Sequence, residues 1–146
     1  MHAFLLATGE GNKLAPLSTS IAAPMLPIAN RPVMAYAVEL LARAGFHHSF
    51  VSLYQFPDSI ERYFGNGQRW NLQLQYLMQR QGWGTAGAFK RAAHALSATF
   101  LVLPADALID LEIDAALAFH QQHGGPATVI LSQARCATTA AHEMLQ

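Results

Sequence analysis

A chain of 146 residues has the usual length of a single globular domain, and 52% hydrophobic residues are enough to form an apolar core. This composition excludes disorder as the main state. Nine basic residues balance nine acidic ones, so no overall charge attracts the chain to nucleic acid or to an anionic membrane. We expect one domain over residues 1–146 that binds neither a nucleic acid nor a membrane.

Two further features of the composition bear on location. Cys136 is the single cysteine, so no intramolecular disulfide can form. No apolar stretch approaches the roughly 20 residues of a membrane helix, and the N-terminus lacks the basic segment of a signal peptide. We predict a soluble protein of the reducing cytoplasm.

The first predicted elements are a strand, a long loop, a helix and a second strand. Residues 3–7 are a short apolar run typical of a buried strand, and prolines throughout residues 9–31 predict an ordered loop rather than a helix. A helix then begins at Pro32 and ends before Gly45, because proline suits a first helical turn and glycine suits a helix end. Residues 50–54 predict the second strand.

A short helix and a half-exposed strand follow. Asp58 and Glu61 have the spacing of a capping box, and Gly65 is suited to end the helix that this box opens. Residues 72–78 alternate between apolar and polar side chains, as a strand with one polar face does.

The last third of the chain continues the alternation. We predict a helix over residues 88–96 with Thr85 as its N-cap, a buried strand over 100–103, a helix over 115–123 and a fifth strand over 127–131. Strands that alternate with helices of about three turns form a parallel sheet that is covered on both faces. The sequence therefore predicts an α/β fold.

A glycine-rich segment follows the first predicted strand. Gly9 and Gly11 allow backbone N–H groups to converge on an anion, and Lys13 places an ammonium group beside them. The segment does not match the dinucleotide-binding fingerprint, whose third glycine is Leu14 here, nor the P-loop pattern. Alone, it fits an anion-binding loop and a plain turn with an exposed lysine equally well.

Two more features lie where α/β sheets hold ligands. Gly84, Thr85 and Gly87 come at the start of a predicted helix, where free N–H groups favour a phosphate or a polar base edge. Asp106 follows the fourth predicted strand, and a carboxylate there can hold Mg²⁺ together with substrate phosphates. Each feature also has a structural explanation, since small residues pack at helix starts and aspartates begin turns.

Four segments, taken in order, resemble one enzyme family. They are residues 6–17, residues 24–32 with the sequence Pro-Met-Leu-Pro-Ile-Ala-Asn-Arg-Pro, residues 84–88 with Gly-Thr-Ala-Gly-Ala, and residues 103–106 with Leu-Pro-Ala-Asp. Together they resemble the sugar-phosphate nucleotidylyltransferases, which include mannose-1-phosphate guanylyltransferases and glucose-1-phosphate thymidylyl- and uridylyltransferases. The resemblance extends over essentially the whole chain. It implies a Rossmann-like, three-layer αβα fold with a mainly parallel sheet.

The resemblance also implies a reaction and roles for individual residues. A nucleotidyl group would pass from an NTP to a sugar 1-phosphate with release of pyrophosphate and with Mg²⁺ as cofactor. Lys13 would be the catalytic cation, Asp106 would bind the metal, and Gln79, on the polar face of its strand, would contact the base. The nucleotide-binding residues that the resemblance implies are Ala7, Gly9, Gly11, Asn12, Lys13, Gln79, Gly84, Thr85 and Gly87.

Departures from the family pattern keep other functions open. The usual arginine of the glycine-rich loop is Lys13 here, which keeps the charge but loses a two-pronged contact with phosphate. The usual lysine before Pro-Met-Leu-Pro is Ala23, which carries no charge. The chain is therefore an active transferase, a catalytically impaired regulatory or assembly module that binds a nucleotide or a sugar nucleotide, or a plain α/β module without a ligand.

The resemblance also covers only the N-terminal part of the family. Members of the family continue into a sugar-binding half that contains a second metal-binding aspartate, so we expect a truncated domain here. Apolar surface that this half would cover favours a homo-oligomer or association with a longer chain.

Overall fold

The fold is built on a parallel sheet of four strands, as the computed structural model shows for residues 1–8, 14–79, 84–96 and 99–131. In chain order the elements are β1 (His2–Ala7), β2 (Pro27–Ile28), β3 (Arg31–Pro32), α1 (Val33–Arg43), β4 (His48–Leu53), α2 (Pro57–Phe64), β5 (Gln73–Met78), α3 (Gly84–Ala92), β6 (Phe100–Pro104) and α4 (Ile113–His123). The large sheet has the order β5-β4-β1-β6, and β2 pairs with β3 in a small antiparallel hairpin.

The chain divides into two compact units, Met1–Leu111 and Glu112–Gln146, and the sheet lies in the first. The organisation of residues 1–146 as one domain stays a prediction. Among the described helices, none combines the length and the apolar character needed to cross a bilayer.

All the strand pairs of the large sheet are parallel and in register. His2 lies opposite both His48 and Phe100, and His48 lies opposite Gln73. The four strands therefore finish at one side of the sheet, which we call the carboxyl edge; it is formed by the ends of the strands at Ala7, Leu53, Met78 and Pro104.

The order of the strands determines which face each helix covers. The chain passes from β1 to β4 and on to β5 in one direction, then returns past β1 to β6. Because crossover connections are right-handed, this reversal places α1 and α2 on one face of the sheet and α3 on the other. The contacts of α3 agree, since its Ala88 and Ala92 form one buried cluster with Phe4 and Phe50. The predicted α/β arrangement of helices on a parallel sheet is confirmed.

The opposite face of the sheet carries a second set of buried side chains. Leu5 and Val51 alternate along their strands with the residues that contact α3, and both are fully buried. On α1, Met34, Val38 and Leu41 recur at helical spacing and are also fully buried. The apolar periodicity that predicted this helix therefore marks its buried stripe.

Two predicted helix starts are wrong. α2 begins at Pro57 with Phe56 as its N-cap and with no side-chain cap, so Asp58 and Glu61 form no capping box. Proline at the first helical position moves the start one residue before Asp58, whose charge lies in the first turn instead. α3 begins at Gly84, so Thr85 lies inside the helix and is not its N-cap.

The predicted fifth strand is also wrong. Residues 127–131 have no regular secondary structure, and the side chains of Val129 and Leu131 are 78% and 85% exposed. The β-branched, apolar residues of this segment favour extended backbone locally. A strand also needs a neighbouring strand to hydrogen-bond its backbone groups.

The predicted long loop is confirmed where the structure describes it, and the hairpin β2–β3 lies within it. Ala29 and Asn30 form the hairpin turn with left-handed φ values of 49° and 62°. The Tyr36 hydroxyl donates to the Ile28 carbonyl oxygen at 2.9 Å, and Arg31 forms an ion pair with Glu39. Contacts with α1 therefore hold the end of the loop.

Residues 65–72 connect α2 to β5. The Tyr76 hydroxyl donates to the Gly65 carbonyl oxygen at 2.7 Å, and burial together with the charge of Glu61 raises the pKa of Tyr76 to about 12. The hydroxyl thus keeps its donor proton at neutral pH. Gly67 has a φ of 84°, and a Cβ added to it would overlap the Leu72 carbonyl oxygen and lie 2.8 Å from Leu74 Cγ.

We expect Gly67→Ala to destabilise the fold more than Gly45→Ala. Gly45 also has a positive φ, of 75°, but an added Cβ there meets nothing within 4 Å. Gly45→Ala should cost only the left-handed backbone, about 1–2 kcal/mol, while Gly67→Ala adds overpacking of roughly 1–3 kcal/mol. Urea unfolding of both variants measures the difference, and equal midpoints would contradict a steric role for Gly67.

Candidate functional site

The ends of β1 and β6 place Asp106 at the same edge of the sheet as Thr8, the last described residue before the glycine-rich segment. Leu6 lies opposite Pro104, and the Ala105 N–H continues the ladder by donating to the Leu6 carbonyl oxygen at 2.9 Å. Asp106 lies in the turn that follows β6, and Thr8 is the residue that follows β1. Both residues therefore lie at the carboxyl edge of the sheet.

This place is also where the order of the strands reverses. The chain leaves β1 toward β4, whereas β6 lies on the other side of β1. Open α/β sheets hold ligands outside the carboxyl ends of their strands at such a reversal. Ala105 is fully buried and Asp106 is exposed, so the carboxylate is available to a ligand from solvent.

The start of α3 lies at the same edge. Five residues separate the end of β5 from the start of α3, and a crossover helix runs antiparallel to the strands that it connects. The helix start that carries Gly84, Thr85 and Gly87 is therefore directed toward the carboxyl edge. Ala7, the last residue of β1, is buried there.

Four predicted site residues lie outside the described residues. They are Gly9, Gly11, Asn12 and Lys13. Their contacts with phosphate, and the catalytic role of Lys13, stay predictions. The structure does locate the backbone on both sides of this segment, at Thr8 and at Leu14.

Gln79 is the residue at this edge whose environment most clearly points to a ligand. Its N–H donates to the Leu53 carbonyl oxygen at 2.8 Å, which holds its backbone next to the end of β4. Its side chain is only 4% exposed, yet neither Oε1 nor Nε2 has a hydrogen-bond partner among the described residues. A buried polar group without a partner costs about 1–3 kcal/mol, so this amide is prepared to hydrogen-bond a ligand.

The sequence predicts Gln79 on the polar face of its strand, but its side chain is buried. Gln73 and Gln75, at alternating positions on the same strand, are exposed as the sequence pattern predicts. Gln79 continues that alternation but lies beyond the strand end. The composition of the segment does not distinguish these three glutamines, and only the structure separates the buried one.

The position of the family lysine is a buried alanine here. Ala23 opens a 3-10 turn, Ala23–Met25, and is 4% exposed. The turn is held by the Met25 N–H, which donates to the Ala22 carbonyl oxygen at 2.7 Å, and by the Leu26 N–H, which donates to the Ala23 carbonyl oxygen at 3.1 Å. The turn is therefore formed without the cation that the family carries.

The donor set of the edge suits magnesium better than a transition metal. Among the described residues no group of three or more His, Cys, Asp or Glu side chains is arranged to hold a metal ion. The exposed carboxylate of Asp106 fits Mg²⁺, which takes one or two carboxylates and completes its shell with phosphate oxygens and water.

Two cavities of the described structure lie away from the carboxyl edge. One of about 70 Å³ is lined by residues at the beginnings of β1, β4 and β5, including His2 and His48. It is too small for a nucleotide, whose sites usually measure hundreds of Å³. The other, about 460 Å³, is lined by the turn before β5, from Asn66 to Leu74. Neither contains a predicted site residue.

The sequence pattern of the family described as "Nucleotidyl transferase" matches residues 2–139. The chain belongs to the nucleotidyl transferase family. The predicted resemblance is confirmed, and the segments that carry it all lie within the match.

Individual relatives of this chain are sugar-phosphate enzymes by name. A UTP–glucose-1-phosphate uridylyltransferase from Synechocystis sp. is 35% identical over 142 residues, which cover 89% of this chain and 37% of the relative. The mannose-1-phosphate guanylyltransferase catalytic subunit beta of Danio rerio is 30% identical over 137 residues, with 91% and 38% covered. The chain thus spans less than two fifths of the length of these relatives.

Solved structures support the same fold. HddC from Yersinia pseudotuberculosis, complexed with GMP-PN, superposes with a TM-score of 0.72 at 25% identity and covers 82% of this chain and 53% of its own. A UDP-glucose pyrophosphorylase complexed with UDP-glucose gives a TM-score of 0.69 at 23% identity, with 84% and 54% covered. The predicted Rossmann-like αβα arrangement is confirmed for this member of the nucleotidyl transferase family.

We expect Gln79→Met to stabilise the ligand-free protein. Methionine has a similar length and removes a buried amide that has no partner among the described residues, so the free energy of unfolding should rise by about 1 kcal/mol or more. Gln75→Met on the exposed part of β5 is the matched control and should change stability little. Urea unfolding measures both, and a loss of stability in Gln79→Met would show that the amide is already satisfied.

Proposed function

We propose that this chain supplies the nucleotide-binding part of a transferase that moves a nucleotidyl group from an NTP to a sugar 1-phosphate and releases pyrophosphate. The observation that carries the proposal is the buried amide of Gln79, which has no hydrogen-bond partner among the described residues and lies at the carboxyl edge that also presents Asp106. Membership of the nucleotidyl transferase family and the names of the relatives support the reaction class.

Gln79 and Asp106 are far enough apart to contact the two ends of one nucleotide. Gln79 follows β5 and Asp106 follows β6, the two outer strands of the sheet. With strands about 4.8 Å apart, three spacings separate the two positions by about 14 Å along the edge. We assign the base to Gln79, whose amide offers both donors and an acceptor to a base edge, and the phosphates to the side of Asp106.

The phosphate end combines backbone and charge. Gly9, Gly11 and Asn12 would direct N–H groups at the triphosphate, with Lys13 adding a cation, while the start of α3 at Gly84, Thr85 and Gly87 offers further N–H groups. Asp106 would hold Mg²⁺, which neutralises phosphate charge when bound.

The transfer of the nucleotidyl group requires little covalent chemistry from the side chains of the protein. The sugar phosphate oxygen attacks the α-phosphorus in line and pyrophosphate leaves, so the residues of the edge bind and orient two polyanions. We place this reaction in the cytoplasm, in agreement with the single cysteine of the sequence.

A second function is favoured by Ala23. A buried methyl group stands where the family carries a lysine, so one cation is missing from a site that must hold two polyanions. The chain also spans 37% and 38% of the relatives named above. These two facts favour a module that binds a nucleotide or a sugar nucleotide with little turnover, and that associates with itself or with a longer chain.

We expect the chain to bind GTP or UTP, and Gln79→Met to weaken that binding by about tenfold because hydrogen bonds to the base edge are lost. Binding of tripolyphosphate, which has no base, should be unchanged in this variant. Asp106→Asn should instead remove the strengthening of binding by Mg²⁺ and leave binding without Mg²⁺ unchanged. Calorimetry with and without Mg²⁺ measures these effects.

Wild-type protein that binds neither nucleotide nor tripolyphosphate would contradict the proposal. Pyrophosphate release from an NTP and glucose 1-phosphate or mannose 1-phosphate distinguishes the two functions. Turnover by this chain alone would rule out the impaired module, and tight binding without turnover would support it.

We expect Ala23→Lys to strengthen binding of GTP or UTP by about tenfold or more, because a charge-assisted hydrogen bond to phosphate contributes roughly 1.5–3 kcal/mol. Ala22→Lys is the matched control, since Ala22 is equally buried, at 4% exposure, and precedes the position of the family lysine. Calorimetry should show tighter binding for Ala23→Lys alone. Equal affinities of the two variants would show that the pocket does not extend to this turn.

A further inference from the structure

Two histidines lie side by side at the starts of β1 and β4, at the edge of the sheet opposite the carboxyl edge. His2 and His48 are in-register partners, so their side chains leave the sheet on the same face. The centroid of the His2 ring also lies 5.8 Å from that of Phe50, which belongs to the buried cluster that includes Ala88 of α3. Both imidazoles therefore lie on the face of the sheet that α3 covers.

The two imidazoles share one small cavity of about 70 Å³. Its lining residues are His2, His48, Ser49, Phe50, Gln73 and Gln75. A cavity of this size holds a few water molecules or one hydrated ion, whereas a sugar or a nucleotide needs hundreds of Å³. The size of the cavity and the ring nitrogens and amides around it favour an ion as the ligand.

Neither imidazole has a hydrogen-bonding role in the part of the chain that the structure describes. The contacts of His2 and His48 there are between rings, with no hydrogen bond and no ion pair to a ring nitrogen. His120 differs, because its Nδ1 lies 2.9 Å from Thr128 Oγ1. Ring packing alone does not explain the pair, since a ring without nitrogen, such as that of Phe50, packs equally well. The nitrogens of His2 and His48 are therefore available to a ligand.

The separation of the two rings fits two ligands of one metal ion. Their centroids are 6.0 Å apart. A Zn–N bond of about 2.1 Å places the metal about 3.2 Å from the centroid of a bound imidazole, so two such rings have centroids at most about 6.4 Å apart. The observed separation lies within this limit. Rotation about the side-chain bonds of the exposed His48 would bring the rings to the shorter separation of tetrahedral ligands.

The remainder of the cavity suits the water that completes such a site. The Gln73 N–H donates to the His47 carbonyl oxygen at 2.8 Å, which holds the start of β5 beside His48. Gln73 and Gln75 line the same cavity, and an amide side chain can both donate to and accept from metal-bound water. No carboxylate is among the lining residues. Imidazole ligands without carboxylates suit Zn²⁺, Cu²⁺ or Ni²⁺, whereas Mg²⁺ takes oxygen ligands.

We propose that the imidazoles of His2 and His48 bind one divalent transition-metal ion between the starts of β1 and β4. Two imidazoles leave further coordination positions of the ion to water. The site is separate from the proposed nucleotide site, because five residue steps of about 3.3 Å separate His2 from Ala7 at the carboxyl edge. The inference therefore does not rest on the proposed function.

The test is calorimetry of the whole chain with Zn²⁺ in the presence of excess Mg²⁺, which occupies carboxylate sites such as Asp106. Wild-type protein should bind one Zn²⁺ ion. His2→Gln and His48→Gln should each weaken that binding by about tenfold or more, because even the loss of a group behind a metal ligand costs roughly 10- to 100-fold.

The bound ion should also stabilise the fold, because it connects β1 to β4 only in the folded state. Zn²⁺ should raise the urea concentration at which wild-type protein unfolds and leave that of His48→Gln unchanged. Urea unfolding with and without Zn²⁺ measures this difference.

The variants His47→Gln, His123→Gln and Cys136→Ser are the controls. His47 is the neighbour of His48 but precedes β4 and does not line the cavity. His123 lies on α4, where its ring stacks on Phe119 with centroids 5.8 Å apart. Cys136 is the single thiol of the sequence. All three variants should bind Zn²⁺ as wild type does.

Two kinds of result would overturn the inference. Zn²⁺ binding that is unchanged in both His2→Gln and His48→Gln, or that is lost in a control variant, would place the ion elsewhere in the chain. Absence of Zn²⁺ binding by wild-type protein would show that the two rings only pack against each other. Neither result bears on the proposed function, which is tested by nucleotide binding at Gln79 and Asp106.

Discussion

The parallel register of β1 with both of its neighbours is the constraint on which the site depends. Backbone ladders on its two sides fix β4 and β6 relative to β1, so the residues after three strands arrive at one edge. A slip of one residue would turn every side chain of a strand to the other face. The same slip would displace the residues that follow β6 relative to those that follow β1, so the pairing of the strands also sets the geometry of the carboxyl edge.

The carboxyl edge contains two features that lower the stability of the fold. Gln79 buries an amide without a partner among the described residues, and Phe56 holds a bulky side chain in the left-handed region. Local rules of stable folding are broken mainly where a protein binds or reacts. The buried side chains of α1 and of the strands provide the stability against which these two costs are tolerated, and the ligand that we propose would give the Gln79 amide its hydrogen-bond partners.

The turn Ala23–Met25 keeps its backbone shape without a charged side chain at position 23. The 3-10 turn Ala23–Met25 keeps its backbone hydrogen bonds although Ala23 removes the cation that the family carries there. The hydrogen bonds of such a turn are made by the main chain, so its shape does not depend on the side chain at its first position. The shape of this turn is therefore kept although the charge that the resemblance assigns to this position is lost.

The sequence by itself determined the alternation of strands and helices, the family and the residues of its motifs, because apolar periodicity and motif order are properties of neighbouring residues. The same local rules were wrong for the capping box of Asp58 and Glu61, for Thr85 as an N-cap and for a strand over residues 127–131. The tertiary structure alone decided that Gln79 is buried and that Asp106 and Thr8 follow neighbouring parallel strands at one edge of the sheet. Burial and register result from contacts between residues far apart in the chain, which no local pattern contains.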